Sequence, residues 1–349
     1  MTERGLLTAA RRACVGRFLR VSGPLACLVI FWVSTHVAGA QQSPGRPGEP
    51  PARVITVADG YGRGARFSVP DGIWLDARRA EIYVADRGNH KIAVFDKDGQ
   101  LLRSFIHWVP RTGPRGKVVP QPGEPSSVAV NSRGDIFVVD GFDNAVDVLD
   151  YRGRSMQRIP VGGPTTDGKE GKSSDQPVPV EVAVDEQDHV YVATSGGHCQ
   201  IIVLDENYQV IRRIGRRGRE RGAFYAVTGL SVDKQGRVLV TDAQSVPVQV
   251  FSPEGELLLA FGAHEVGWEN FSLPSGVVRD GDGDLWVVDS IRQVVKRFDE
   301  SGHFLGVIGG LGSAPGDMYY PTALAGDGGR MIVVLERNGA RFQVFQVTS

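Results

Sequence analysis

The sequence predicts an all-β protein, and three observations lead to this fold class. The stretch "EIYVADRGNHKIAVFDKDGQLLRSF" (81–105) contains three strand-like runs that are separated by turn residues. Related stretches recur at 135–159, 189–215, 237–262 and 284–309, and a shorter copy closes the chain. The copies show no helical period of apolar residues. We therefore interpret the chain as an array of repeated β-units.

The residue that ends the first run of each copy marks the repeat length. It recurs at intervals of 54, 54, 48, 47 and 47 residues, at Asp86, Asp140, Thr194, Asp242, Asp289 and Glu336. Each copy is preceded by a further strand-like run, such as "PDGIWLD" (70–76), so the repeating unit has four strands. Four strands in a unit of about fifty residues are typical of a β-propeller blade.

The two ends of the chain predict how the ring closes. The sixth unit lacks its fourth strand, because the chain stops at Ser349 soon after "FQVFQV". The stretch "ARVITVADG" (52–60) matches the missing strand. We therefore expect residues 52–349 to form a six-bladed β-propeller of four-stranded blades, whose ring is closed by an N-terminal strand that pairs with the last blade.

The first forty residues differ from the rest of the chain. Arg11, Arg12, Arg17 and Arg20 precede the apolar stretch "GPLACLVIFWV", and small residues at 38–40 match a cleavage site. This pattern predicts a signal peptide (1–40) and a periplasmic or secreted protein of the bacterial envelope. An uncleaved membrane anchor is the alternative, because positions 23–40 are nearly long enough to span a bilayer. Residues 41–51 then form a Pro/Gly-rich linker.

Charge and cysteine content limit the partners and the source of stability. The net charge of −1 gives no general attraction to nucleic acid or to anionic membranes, so we expect neither a nucleic-acid partner nor membrane insertion after signal cleavage. Only Cys199 remains in the mature chain. No intramolecular disulfide is then available, and stability must come from apolar burial.

The repeat pattern has a family resemblance. "FSVPDGIWLD" followed by "EIYVADRGNHKIAVFDKDGQLLRSF" resembles an NHL repeat, and residues 52–349 as a whole resemble a six-bladed NHL propeller. This family includes binding scaffolds and a few lyases. The resemblance therefore implies a fold and leaves the function open.

The resemblance also implies a comparison with the peptidylamidoglycolate lyases, which hold zinc on three channel histidines. Only His90 and His198 occupy comparable loop positions here, and a zinc site needs at least three protein ligands. The stretch "RDGDGDLW" (279–286) falls where other copies have a turn and lacks the glutamate that would complete a calcium loop. We therefore expect no metal and no cofactor.

The inner strands of a propeller line a central channel, and one position along them stands out. Five of the six residues at this position are small, while the sixth is a glutamate: Gly72, Ser127, Glu181, Gly229, Gly276 and Ala323. A carboxylate near the axis must bind a cation, meet an arginine or face channel water. The candidate channel residues are Asp71, Ser126, Glu181, Thr228, Ser275 and Thr322.

Three successive blade connections carry the candidates for partner binding. Two are long (106–125 and 161–179), and the third (211–224) contains six arginines. In a closed ring they share one arc of one face, where aromatic and arginine side chains favour protein contacts. The candidates are Trp108, Arg111, Arg115, Lys117, Arg212, Arg216, Arg217 and Arg219. Tolerated insertions and a solvated basic surface are the alternatives.

These observations favour a binding or scaffold module over an enzyme. The partner is expected to be a protein, a peptide or a glycan, with an acidic surface that complements the arginines. The alternative is a lyase or a hydrolase with its site at the channel mouth near Glu181.

Overall fold

A computed structural model of the protein describes residues 51–62, 64–113, 116–161 and 177–348. The predicted signal peptide and the linker up to residue 50 lie outside the described residues. Arg115 and most of the second long connection lie outside them as well. No helix within the described ranges is long and apolar enough to cross a membrane.

The first half of the fold contains two blades and two short ribbons. Three strands come first: β1 (Ala52–Ala58), β2 (Gly60–Gly62) and β3 (Ala65–Arg66). The first blade consists of β4 (Pro70–Asp76), β5 (Glu81–Asp86), β6 (Lys91–Asp96) and β7 (Leu101–Ile106). A ribbon follows, β8 (Trp108–Thr112) and β9 (Val118–Pro122). The second blade consists of β10 (Pro125–Val130), β11 (Ile136–Asp140), β12 (Ala145–Leu149) and β13 (Ser155–Pro160).

The second half contains four blades. The third consists of β14 (Val178–Val184), β15 (Val190–Ser195), β16 (Ile201–Leu204) and β17 (Val210–Ile214). The fourth consists of β18 (Val227–Val232), β19 (Val238–Asp242), β20 (Val248–Phe251) and β21 (Leu257–Phe261). The fifth consists of β22 (Pro274–Arg279), β23 (Leu285–Asp289), β24 (Val294–Phe298) and β25 (Phe304–Gly309). The sixth contributes β26 (Pro321–Gly326), β27 (Met331–Glu336) and β28 (Arg341–Val347).

Six four-stranded antiparallel sheets confirm the predicted all-β propeller. The strand order of the sixth sheet is β1-β28-β27-β26, so β1 is its outermost strand and pairs with β28 from Ala52↔Val347 to Ala58↔Phe342. The innermost strands contact one another around a full circle, and β26 contacts β4. The first and last described strands therefore meet within one blade.

Apolar burial between blades holds the ring together. Six clusters of buried side chains lie at the six blade junctions. β1 contributes to two of them, because Ala52 packs between the fifth and sixth blades while Ala58 packs between the sixth and first. Since each sheet buries both faces, the middle strands are apolar along their length, as in "IFVVD" (136–140).

Where the recurring residue is acidic, it ties the preceding connection to its blade, whereas Thr194 of the third blade bonds to carbonyls of its own loop. Asp242 accepts hydrogen bonds from the backbone N–H groups of Tyr225 and Ala226, at 2.7 and 3.0 Å. Asp289 does the same for Ser272 and Leu273, both at 3.1 Å. These carboxylates are buried, and the bonds satisfy both partners. The repeat is therefore marked by a residue that fixes the loops.

Two sets of loops share one face of the propeller. The connection before each blade bonds through its backbone to the loop between the second and third strands of that blade, as in Gly141 N–H to Glu124 O at 2.9 Å and Ala243 N–H to Ala226 O at 2.9 Å. We call this side the loop face. The opposite side, which carries the turns between first and second and between third and fourth strands, is the turn face.

Candidate functional site

Close approach of the innermost strands explains the column of small residues in the channel. A Cβ atom on Gly72 would lie 2.5 Å from the carbonyl oxygen of Ser126, and one on Gly229 would lie 2.8 Å from the Cα of Gly276. Contacts this short cannot be accommodated in a packed interior without backbone movement. Glycine at these positions therefore serves ring closure.

Glu181 breaks this column and is held by the neighbouring blade. The Ser127 hydroxyl donates a hydrogen bond of 2.8 Å to the Glu181 carboxylate, and it accepts one of 3.2 Å from the Val182 N–H. Burial raises the pKa of Glu181 to about 8; the Ser127 bond opposes this rise, and the carboxylate of Asp71 adds to it. The carboxyl group is therefore mainly protonated at pH 7.

A tryptophan from the first blade reaches into the channel. Trp74 packs against the apolar clusters of the first three blade junctions. Its indole N–H has no hydrogen-bond partner among the described residues. Trp74 and Glu181 line a cavity of about 180 Å³, which extends to Arg78 and Lys234 on the turn face. The open part of the channel is thus small and faces away from the loops.

The six channel candidates divide into two groups. Glu181, Thr228 and Ser275 line the cavity. The hydroxyls of Thr228 and Ser275 are engaged, since they bond to the Pro274 carbonyl at 2.7 Å and to Ser290 at 2.6 Å. The other three lie outside the lining: Asp71, Ser126 and Thr322. The structure therefore does not gather all six into one site.

Asp71 belongs to a chain of alternating charges on the loop face. It forms ion pairs with Arg337 of the sixth blade and with Arg87, the latter at 3.5 Å. Arg87 also donates to Glu124 of the next connection at 2.7 Å. Asp71 therefore meets two arginines, whereas Glu181, for which a cation, an arginine or channel water was expected, bonds to a serine.

The ribbon β8–β9 is anchored by a buried histidine that sequence reasoning left without a role. His107 is fully buried, with Nδ1 3.0 Å from Asp140 and Nε2 3.2 Å from Asp147. Burial lowers the pKa of His107, but the hydrogen bonds and charges of the two carboxylates outweigh it and raise the pKa to about 9. The ring is therefore cationic at neutral pH and clamps the ribbon to the second blade.

The clamp places an aromatic and basic surface next to it. Trp108 is 49% exposed. The guanidinium of Arg111 lies 3.5 Å from the ring centroid of Phe142, which is itself 52% exposed. Lys117 is exposed on the same ribbon. Arg111 is thus held over an aromatic ring in the loop between β11 and β12.

A second aromatic and basic surface lies on the arginine-rich connection. Arg217 and Arg219 flank Tyr225, with guanidinium carbons 5.3 and 4.3 Å from its ring centroid. The two arginines lower the pKa of the Tyr225 hydroxyl. Arg216 forms an ion pair with Glu220. Tyr225 and Phe142 were not among the sequence candidates, because aromatic residues in loops give no signal of what they stack on.

Arg212 is separated from the other arginines. It lies within β17, and its guanidinium bonds to the carbonyl of Pro253 in a turn of the fourth blade. That turn joins a third to a fourth strand and so belongs to the turn face. Membership of a strand therefore removes Arg212 from the arginine-rich surface on which the sequence had placed it.

The sequence has relatives among characterised proteins. It is 26% identical to NHL repeat-containing protein 3 of Mus musculus over 240 residues, which is 66% of this chain and 64% of the relative. It is 26% identical to the E3 ubiquitin-protein ligase TRIM32 of Mus musculus over 264 residues, which is 68% of this chain and 36% of the relative. The predicted resemblance to NHL-repeat proteins is confirmed. No family model matches the sequence.

Solved structures share the architecture of this six-bladed propeller. A virginiamycin B lyase from Staphylococcus aureus superposes with a TM-score of 0.55 at 10% identity, covering 84% of this chain and 99% of that one. A gluconolactonase from Xanthomonas campestris superposes with a TM-score of 0.56 at 15% identity, covering 87% and 99%. At these identities the likeness concerns the fold alone.

His90 and the acidic turn after β22 have structural roles in this propeller. His90 ends a short 3-10 turn with a φ of 60°, and its ring bonds to the Gly123 carbonyl. Asp280 accepts hydrogen bonds from the backbone N–H groups of Asp282 and Asp284, both at 3.0 Å, so the acidic part of 279–286 is a turn between β22 and β23. Within the described part of the chain, no group of three His, Cys, Asp or Glu side chains is arranged to hold a metal ion.

Proposed function

We propose that the protein is an exported binding module that engages an acidic protein partner on its loop face. The observation that carries this proposal is the pair of arginine–aromatic stacks on this face. Half-buried Arg111 lies on exposed Phe142, and exposed Arg217 and Arg219 lie on half-buried Tyr225. We call the surface that contains them the basic arc. It comprises Trp108, Arg111, Lys117, Phe142, Arg216, Arg217, Arg219 and Tyr225.

The chemistry of the arc supports protein binding. Arginine and aromatic side chains are enriched at the energetically important positions of protein interfaces. A guanidinium that is already stacked on a ring loses less conformational freedom on binding than a free one. The arc therefore offers preorganised contacts.

The distribution of exposed apolar side chains points to the same face. Among the described residues, the turn face exposes one large apolar side chain, Tyr151. The loop face exposes eight: Val69, Trp108, Val118, Phe142, Val266, Ile291, Leu311 and Tyr319. Ten more lie on the outermost strands, so the comparison holds between the two faces only: the loop face offers a partner more apolar contacts than the turn face does.

The charges of the arc favour an acidic partner. Arg217 donates to the Gly196 carbonyl at 2.9 Å and Arg219 to the Gln244 side chain at 3.4 Å. Neither bond neutralises the positive charge. A carboxylate from a partner would gain a charge-assisted hydrogen bond there.

A charge-reversal pair tests this proposal. Arg217→Glu with Arg219→Glu should reduce by at least about tenfold the affinity for a fluorescein-labelled poly-glutamate peptide, and should remove the proteins that the parent captures by crosslinking. The matched control is Lys97→Glu with Arg152→Glu, two turn-face positions that give the same change in net charge. Equal loss of binding in both variants would show that binding depends on net charge and not on the basic arc, and would overturn the proposal.

Export is a separate part of the proposal and rests on residues 1–40. The mature protein should begin near Gln41 in the fraction that leaves the cytoplasm. N-terminal sequencing of the protein from that fraction checks this. An intact N-terminus in purified membranes would establish the anchor instead.

A second candidate function is catalysis at Glu181. Its raised pKa and its bond to Ser127 suit a group that exchanges protons near neutral pH. The cavity, at about 180 Å³, is smaller than the 300–1,000 Å³ of most small-molecule sites. Its size therefore favours protein binding on the loop face over catalysis in the channel. Hydrolysis of glucono-δ-lactone by the parent, followed by pH-stat titration and abolished by Glu181→Gln, would favour the enzyme.

A further inference from the structure

A cleft of about 730 Å³ lies on the loop face where the sixth blade meets the first. Its volume falls within the 300–1,000 Å³ that most small-molecule sites occupy. One wall is formed where β1 continues into the ribbon β2–β3, and the other is the connection 310–320. The basic arc lies at other junctions, so the cleft is a separate region.

The ribbon wall is fixed in place. Gly60 has a φ of 148°, and a Cβ atom there would lie 2.2 Å from the carbonyl oxygen of Ala65, so the ribbon requires glycine. The Tyr61 hydroxyl donates to Asp86 at 2.5 Å, and the Asn89 side chain donates to the carbonyl of Arg66 at 3.0 Å. The wall is therefore rigid enough to present side chains in defined positions.

The opposite wall is fixed by a buried arginine. Arg341 donates to the carbonyl oxygens of Ser313 and Asp317, at 2.7 and 2.8 Å. Although its backbone is held, this wall leaves large side chains uncovered: Leu311 is 73% exposed and Tyr319 is 48% exposed. An anchored wall with bare apolar groups is typical of a surface that a ligand covers.

The charges of the cleft cancel. Asp59 and Arg66 lie 3.7 Å apart at the rim, and Glu336 and Arg341 lie 2.6 Å apart at its base. The rim pair is exposed and loose, so both side chains remain able to bond to a ligand. A neutral cleft with planar polar groups on one wall and apolar groups on the other suits an uncharged ligand with one apolar face and many hydroxyls.

We propose that this cleft binds a neutral saccharide, with a sugar ring packed on Tyr319 and Leu311 and its hydroxyls bonded to Asp59 and Arg66. The C–H face of a pyranose supplies the apolar contact. The carboxylate accepts hydroxyl protons, and the guanidinium donates to hydroxyl oxygens. This inference does not depend on the protein partner of the basic arc.

The test is a titration of the full mature chain with cellobiose, maltose and N,N′-diacetylchitobiose, followed by isothermal calorimetry. At least one disaccharide should bind, and Tyr319→Ala and Arg66→Ala should each weaken it by at least about tenfold, since each removes one of two opposed contacts. Both side chains are substantially exposed, so the fold should be retained. Tyr151→Ala, on the turn face, is the matched control and should bind as the parent does.

Three results would overturn the proposal. One is no binding of any disaccharide at about 10 mM. Another is equal binding by the parent and by the two cleft variants. The third is binding of the uncharged dipeptide N-acetyl-leucyl-glycinamide in place of the sugars, which would assign the cleft to a peptide. Arg217→Glu with Arg219→Glu should leave sugar binding unchanged, which separates this site from the arc.

Discussion

The central channel and the basic arc of the loop face differ in whether their ionisable side chains carry a charge. In the channel, Glu181 is bonded to Ser127 and is mainly protonated at neutral pH, so its charge is suppressed. On the arc, Arg217 and Arg219 keep their charges and share the half-buried ring of Tyr225. The difference teaches that the tightly packed inner strands preserve the ring, whereas the connections, which vary in length, are free to carry the binding that we propose.

Removal of β1 should have the largest effect on the ring. Deletion of residues 41–58 leaves β28 as an exposed edge and takes Ala52 and Ala58 out of two junction clusters. We expect the melting temperature to fall by more than about 10 °C, measured by circular dichroism. Deletion of 41–50 keeps β1 and should leave Tm unchanged. The same Tm in both truncations would contradict a structural role for β1.

A methyl group in the channel should also destabilise the ring. Gly72→Ala forces a Cβ against the Ser126 carbonyl and should cost about 1–3 kcal/mol of unfolding free energy. Gly306→Ala, in the outermost strand of the fifth blade, meets nothing within 4 Å and should be neutral within about 0.5 kcal/mol. Urea unfolding of both variants measures the difference. Equal stability would show that the inner strands are not in close contact.

The clamp of the ribbon predicts a pH dependence. The pKa of His107 is raised in the folded protein, so its stabilisation is complete below its unfolded value near 6.5 and is lost as the pH rises through about 9. His107→Gln should remove this dependence and lower stability most at pH 6, by roughly 3 kcal/mol. Urea unfolding from pH 6 to 10 checks this. Parallel curves for parent and variant would refute a charged His107.

Loss of the Phe142 ring, on which Arg111 lies, should have the smallest effect on the fold. Phe142→Ala removes an exposed ring and should change the unfolding free energy by less than about 0.5 kcal/mol. Poly-glutamate affinity should nevertheless fall severalfold, because Arg111 loses the ring that orients it. Tyr151→Ala serves as the control on the turn face. Unchanged affinity in Phe142→Ala would show that Arg111 and Phe142 do not contribute to binding and that the peptide contacts only Arg217, Arg219 and Tyr225.

The fold was predictable because its signals are local and repeated. The sequence repeats its strand runs, its turn residues and the residue that ends the first run of each copy, such as Asp86. Because these features recur along the chain, each copy supports the interpretation of the others. The resemblance to NHL repeats rests on the same residues. Site residues that occur in only one repeat could not be checked against the other repeats in this way.

The site was only partly predictable, because its contacts join distant positions. His107 meets Asp140 and Asp147, which lie 33 and 40 residues further along the chain. Arg111 meets Phe142 across a blade junction. The cleft depends on a ribbon that occurs once and on side chains from both ends of the propeller. For Arg212 the prediction was wrong for the opposite reason. It is close in sequence to the arginines of the connection 211–224, but it lies within β17 and is separated from them in space.

The most direct test of the account compares two variants in one binding assay. Glu181→Gln changes the channel and keeps the hydrogen bond from Ser127, while Arg217→Glu with Arg219→Glu changes the arc. The measurement is the affinity of each folded variant for the poly-glutamate peptide at two salt concentrations. The account predicts that Glu181→Gln binds as the parent does and that the arc variant loses both its affinity and its salt dependence. Loss of binding in Glu181→Gln with retention in the arc variant would contradict it and assign function to the channel.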